Sequence, residues 1–218
     1  MAAWIAAALA WPAAAWAAPQ EDGPAVTAVP LRSGERITLD GRLDHPAWQR
    51  APVFDRFVER FPDTGAAPRQ ATQVRVLFDS LALYVGVRAV DATPERIRAP
   101  LVRHDGVNRT QDFIAVYLDA IGNRQSAQFF RVNAAGSTGD GMHTAADDNE
   151  DFAPDFDFDA AAQRDAQGWT AVLRIPFASL RFADNAEGSG PAAWRILVMR
   201  RTPREQFSAD TSALVPRD

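Results

Sequence analysis

The sequence predicts an all-β protein, an antiparallel β-sandwich of jelly-roll type with short helical turns. Three observations predict it. Apolar and polar residues alternate with period two in one segment after another. Turn residues recur about every eight to twelve positions, as they do in sandwiches and barrels. Helical stretches are few and short. In chain order, residues 72–78 (TQVRVLF) and 82–90 (ALYVGVRAV) read as a hairpin closed by Asp79 and Ser80. Residues 111–118 (QDFIAVYL), 126–133 (SAQFFRVN), 169–175 (WTAVLRI) and 193–199 (AWRILVM) read as further strands. Gly122-Asn123 and Gln167-Gly168 mark hairpin tips, where glycine supplies a positive φ without strain. A helical turn is expected at Asp44-His45-Pro46-Ala47-Trp48, with Asp44 as its N-cap, and another at Thr93-Pro94-Glu95-Arg96. The face pattern places Val74, Val76, Leu83, Val85, Val87, Phe113, Leu173 and Ile175 between two sheets.

Composition narrows the chemistry. The 218 residues suffice for one large domain or two small ones, and all 23 basic residues are Arg. Without Lys there is no Schiff-base amine, no Ser-Lys nucleophile pair and no phosphate-loop lysine. Without Cys there is no thiol catalysis, disulfide or thiolate metal site. A net charge of -5 argues against a nucleic-acid partner, which selects a basic face. GxSxG, GxGxxG and HExxH motifs are absent.

The chain divides into four segments. Residues 1–17 form a charge-free apolar run that contains Pro12 and closes on Ala15-Trp16-Ala17, small residues where a signal peptidase reads them. A secretory signal cleaved after Ala17 is therefore expected, with the product in the periplasm or at the outer membrane. Residues 18–30 read as a Pro-rich linker, 31–205 as the sandwich, and 206–218 as a tail leading towards a further region.

Candidate binding residues lie on the strands and on one acidic stretch. Arg131 and Asn133 sit two apart on a strand and so face the same side, and Asp112 stands at the start of a neighbouring strand. Together they form a candidate polar patch able to exchange hydrogen bonds with sugar hydroxyls. Arg103 is one of several arginines at strand ends. Phe156 and Trp169 are the candidate stacking aromatics, Phe156 because it lies in a loop-like stretch. Residues 147–159 (DDNEDFAPDFDFD) hold seven acids and no base. Such density is solvated or neutralised by a hard cation, so Asp147, Asp148 and Asp151 are candidate calcium ligands, although the EF-hand template fails at Phe152 and Phe158. No organic cofactor is indicated.

Five segments carry a resemblance. LDGRLDHPAW (39–48), FDSLALYVGVRAVD (78–91), QDFIAVYLDA (111–120), FFRVNAAG (129–136) and GWTAVLRIPFASLRF (168–182) resemble, in this order, the motifs of family 9 carbohydrate-binding modules. The match spans about residues 36–202. The variant it resembles stands between a signal peptide and a C-terminal outer-membrane β-barrel, and residues 199–218 look like the junction leading into that barrel. The resemblance implies a non-catalytic module that binds an oligo- or polysaccharide, in a setting of polysaccharide binding or catabolism. It departs from the family at Ala115, where sugar-binding members carry an acid, at Ala134, where the family has Pro, and at Phe156 and Phe158, where similar proteins often have Trp. Two other functions fit the same resemblance: a module that docks on a barrel without recognising sugar, and part of a glycoside hydrolase. No carboxylate pair in the sequence singles out the last.

Overall fold

The computed structural model describes residues 26–181, 194–204 and 208–212. The expected signal peptide and its cleavage site lie outside the described residues. The strands are β1 (Ala28–Pro30), β2 (Phe57–Phe61), β3 (Thr72–Phe78), β4 (Ala82–Val90), β5 (Phe113–Asp119), β6 (Ser126–Asn133), β7 (Thr138–Thr144), β8 (Asn149–Asp151), β9 (Asp159–Asp165), β10 (Gly168–Pro176), β11 (Arg195–Thr202) and β12 (Ser208–Ser212). One helix, α1 (Pro46–Arg50), and two 3-10 turns, Pro94–Arg96 and Phe177–Ser179, complete the described elements. A five-stranded sheet runs β1-β3-β4-β10-β9, and a seven-stranded sheet runs β2-β12-β11-β5-β6-β7-β8. The pairing is antiparallel throughout except where β1 joins β3. The predicted β-sandwich is thus the observed fold.

Three expected strands coincide with β3, β4 and β6. The strand expected from residue 111 begins two residues later, because Asp112 gives its N–H to the carbonyl of Arg98 at 2.6 Å and keeps only its carbonyl, which accepts the N–H of Ala134 at 3.1 Å, towards β6. The sandwich also reaches past the expected boundaries. β1 lies in the segment read as a linker, and β12, buried along its length, lies in the segment read as a tail. In α1 the N-cap is His45 rather than Asp44: Nδ1 of His45 accepts the N–H of Ala47 at 3.1 Å. Pro46 explains the shift, since it holds the residue before it in the extended region and takes the first helical position itself.

The pleat sorts the side chains. Val74, Val76, Leu83, Val85, Val87, Leu173 and Ile175 meet Ile114, Val116, Phe130 and Val132 between the sheets. Phe113 is buried too, but on the other side of its sheet, with Ala115 and Tyr117. It shares their parity along β5, opposite to that of Ile114 and Val116. Both sheets therefore also have a covered outer face. On the five-stranded sheet the N-terminal arm and α1 lay Trp48 against Leu77, Tyr84 and Val172. Gly86 makes this possible. A Cβ there would stand 2.7 Å from Leu43 Cδ2 and 2.8 Å from Trp48 Cζ3. The glycine inside an otherwise apolar strand is the seat of the indole.

Candidate functional site

The outer face of the seven-stranded sheet is built differently. Phe113, Tyr117, Phe129, Arg131 and Asn133 stand on it, and the connection 98–112 folds across them. Asn133 pins that connection. Its amide donates to the carbonyl of Pro100 at 2.8 Å and to Oε1 of Gln111 at 2.9 Å, while its Oδ1 accepts the N–H groups of Ala135 and Ser137, each at 3.0 Å. Two donors and both acceptor sites are thereby used. Asn133 is a structural brace, with no hydrogen bond left for a ligand.

Arg131 is the buried cation of this face. Its side chain is 3% exposed, and it donates to the carbonyl of Val107 at 3.2 Å and to Oε1 of Glu150 at 2.5 Å. Its guanidinium lies 4.4 Å from the ring centre of Phe113 and 5.2 Å from that of Phe152, within cation–π range. Its Nε has no hydrogen-bond partner among the described residues. Glu150, on β8, also accepts the hydroxyl of Tyr117 at 2.6 Å. Burial pushes the Glu150 carboxyl up, and Arg131 with the tyrosine hydroxyl more than reverses this, so it ionises below its ordinary value. Burial and the nearby Glu150 charge raise Tyr117 and keep its phenol protonated. Burial, followed by repulsion from Arg109 and Arg131, lowers the neighbouring Arg201 to about 10.

Above Arg131 and Glu150 opens a cavity of about 500 Å³. Asn108 and Arg109 form its wall on the 98–112 connection, and Asp148 and Asn149 its wall on the β7–β8 hairpin. Asp148 is held in place by Arg60 at 2.6 Å and by Nε2 of His143 at 3.0 Å. Phe152 offers an apolar edge. The arrangement presents a fixed cation, a fixed carboxylate, amide and guanidinium donors and an aromatic surface to a small polar ligand. A second cavity of about 340 Å³ lies between Phe156 and its two neighbouring aspartates on one side and residues 178–181 on the other.

The residues expected to bind ligand are dispersed. Arg131 lines the larger cavity and Phe156 the smaller, with the Phe156 ring half-buried against the inter-sheet core. Asp112 does not join Arg131 and Asn133. Phe113 is paired with Asn133, so its neighbour Asp112 points to the opposite face. There its Oδ2 accepts the N–H of Arg98 at 2.7 Å and its other oxygen lies 3.6 Å from Arg204, while burial raises its pKa. Trp169 does not offer a stacking face, because it is wholly buried between the sheets. Arg103 is exposed and lines neither cavity. Nor do Asp147, Asp148 and Asp151 converge. Asp147 and Asp151 accept N–H groups two residues further on, and Asp148 faces Arg60 and His143. The acidic stretch avoids self-repulsion by alternation: its aspartates point to water while Phe152, Phe156 and Phe158 turn inward.

Sequence reasoning missed Tyr117, Glu150, Asn108 and Phe152 as site residues. Tyr117 had a legible signal, its parity with Phe113 on β5. Glu150 had none, since only the β7–β8 hairpin brings it over Arg131.

No family model matches the chain, and no curated protein does. The fold is similar to that of solved structures. One is a family 9 carbohydrate-binding module from Caldicellulosiruptor kristjanssonii in complex with cellotriose, with 14% identity, 84% of this chain and 80% of that one covered, and a TM-score of 0.55. A family 9 module from the same organism in complex with glucose gives 14% identity, 85% coverage of both chains and a TM-score of 0.56. A Bacteroides uniformis protein described provisionally as carbohydrate-binding gives 10% identity, coverage of 75% and 80%, and a TM-score of 0.53.

Proposed function

We propose that this domain is a non-catalytic carbohydrate-binding module that holds a sugar in the cavity above Arg131 and Glu150. The observation that carries the reading is that cavity: a buried, aromatic-backed guanidinium and a paired carboxylate at its base, with Asn108, Arg109 and Asn149 around its rim. The shared fold with modules in complex with glucose and cellotriose supports it. A carboxylate accepts from sugar hydroxyls and a guanidinium donates to them, both in charge-assisted bonds. An exported, periplasmic or outer-membrane setting, with a β-barrel as neighbour and polysaccharide catabolism as context, belongs to the same reading. Its support is the apolar N-terminal run and the similarity of the C-terminal residues to a barrel junction. N-terminal sequencing of the exported protein is expected to begin at Ala18.

Calorimetric titration of the domain with glucose, cellotriose and a panel of plant and bacterial oligosaccharides tests the binding. Arg109→Ala and Asn108→Ala, both at exposed positions, should lower affinity about tenfold each; Arg109→Ala should leave the melting temperature unchanged, and Asn108→Ala should lower it slightly, because Asn108 also bonds Thr110 and Gly106. Absence of binding across the panel, or affinity unchanged from the parent in both variants, would overturn the reading.

A further inference from the structure

His104 lies on the 98–112 connection with its side chain 46% exposed, and its Nε2 faces three carboxylates. Asp140, from β7, is 2.8 Å away and buried. Asp105 is at 3.5 Å and Asp155 at 4.0 Å. Among the described residues, His104, Asp105 and Asp140 are the one group of three or more such side chains whose ligand atoms all lie within 4.8 Å of one another. We infer that His104, Asp105 and Asp140 form a binding site for a divalent transition ion of the zinc class, with Asp155 in reach as a fourth ligand.

Four features support the site. The spacing is that of ligands around a shared ion, since two donors each bound at about 2.0–2.2 Å in a tetrahedral shell stand about 3.4 Å apart. The ring is oriented from behind, with Nδ1 3.1 Å from Oγ1 of Thr138, the kind of outer contact that leaves the other ring nitrogen for a metal. The two segments approach closely at Gly139, where a Cβ would lie 3.2 Å from both the Cα and the Oδ1 of Asp105. Finally, the Asp140 carboxylate is buried and turned into the cluster, with its Oδ1 on Nε2 of His104. Its Oδ2 accepts the N–H of Phe156 at 2.6 Å. One imidazole among carboxylates selects zinc-class ions over calcium, which takes oxygen ligands throughout.

The site would join the 98–112 connection, β7 and, through Asp155, the acidic stretch. Asp105 also lines the larger cavity and Asp155 the smaller, so a bound ion would stiffen the rim of both. The inference does not depend on the proposed sugar binding.

The test is calorimetric titration of the untagged full chain, stripped with a chelator and dialysed, with zinc chloride and separately with calcium chloride. One equivalent of zinc should bind and raise the melting temperature, and cobalt should give a visible absorption band of a tetrahedral nitrogen–oxygen site. His104→Ala, at an exposed position, should fold as the parent does without metal. It should lose the cobalt band and weaken zinc binding by at least about tenfold. His143→Ala, at the β7 histidine that faces Asp148, should leave both unchanged. Asp140→Asn should abolish binding, and its metal-free melt reports whether it folds. Failure to bind one equivalent of zinc, binding unaltered in His104→Ala, or tighter binding of calcium than of zinc would each overturn the inference.

Discussion

The two outer faces of the sandwich are covered by opposite chemistry. On the five-stranded sheet, Trp48, Ala51, Leu77, Tyr84 and Val172 form a dry cluster under the N-terminal arm, with Leu39 and Leu43 at its margin. On the seven-stranded sheet, the covering loops trap Arg131, Glu150 and Tyr117 and leave a cavity above them. The first face is ordinary apolar burial, which stabilises in proportion to area and asks for a close fit, as at Gly86, but for no pairing of polar groups. The second buries charges, which are tolerated only where each meets a partner, and so demands geometry. A face built that way is the more suitable one to hold a polar ligand in a set orientation.

The largest expected effect breaks the dry face. Trp48→Ala should cost about 3–5 kcal/mol in chemical denaturation, the range for an aromatic removed from a packed site. Sugar affinity per folded molecule should not change. A loss below about 1 kcal/mol would show that the arm adds little to the fold.

The next effect separates charges by pH. Burial, against the attraction of Arg200, raises Asp210 from 3.8 to about 6. The folded state then keeps a proton that the unfolded chain has released, so this group's contribution falls as pH rises from about 4 to about 6. The decline should total about 2–3 kcal/mol. Glu150 has the opposite sign. Its lowered pKa stabilises the fold above the ordinary glutamate range, and that contribution is lost as pH falls through the folded value. Denaturation curves of Asp210→Asn and Glu150→Gln across pH 3 to 8 should each remove one limb, and a profile unchanged in both would refute the assignment.

Gly86→Ala tests the seat of the indole. The added Cβ meets Trp48 and Leu43 below 3 Å, so a loss of about 1–3 kcal/mol is expected. In the Trp48→Ala background most of that loss should vanish, and simple additivity would argue against the contact. The smallest effect is Arg103→Ala. This exposed side chain borders neither cavity, and its removal should shift stability by less than about 0.5 kcal/mol and leave sugar titrations unaltered.

What the sequence by itself determined was periodicity. Alternation along TQVRVLF and ALYVGVRAV identified two strands, their turn and their inward face, because a period-two pattern has one arrangement that buries its apolar half. The same rule held for Leu173 and Ile175 and placed Arg131 beside Asn133. It did not reach β7 (TGDGMHT), β9 (DAAAQRD) or β12 (SADTS), whose residues carry no apolar alternation and become strands because a neighbour's open edge pairs with them. Tertiary structure alone decided the site. The register of β5 against β6 sent Asp112 away from Arg131, and the β7–β8 hairpin brought Glu150 to it across 19 residues of chain. Periodicity is a local property that each strand displays on its own. Which polar groups meet depends on register and on loops folding back over a sheet, and those are settled only when the separate segments pack together.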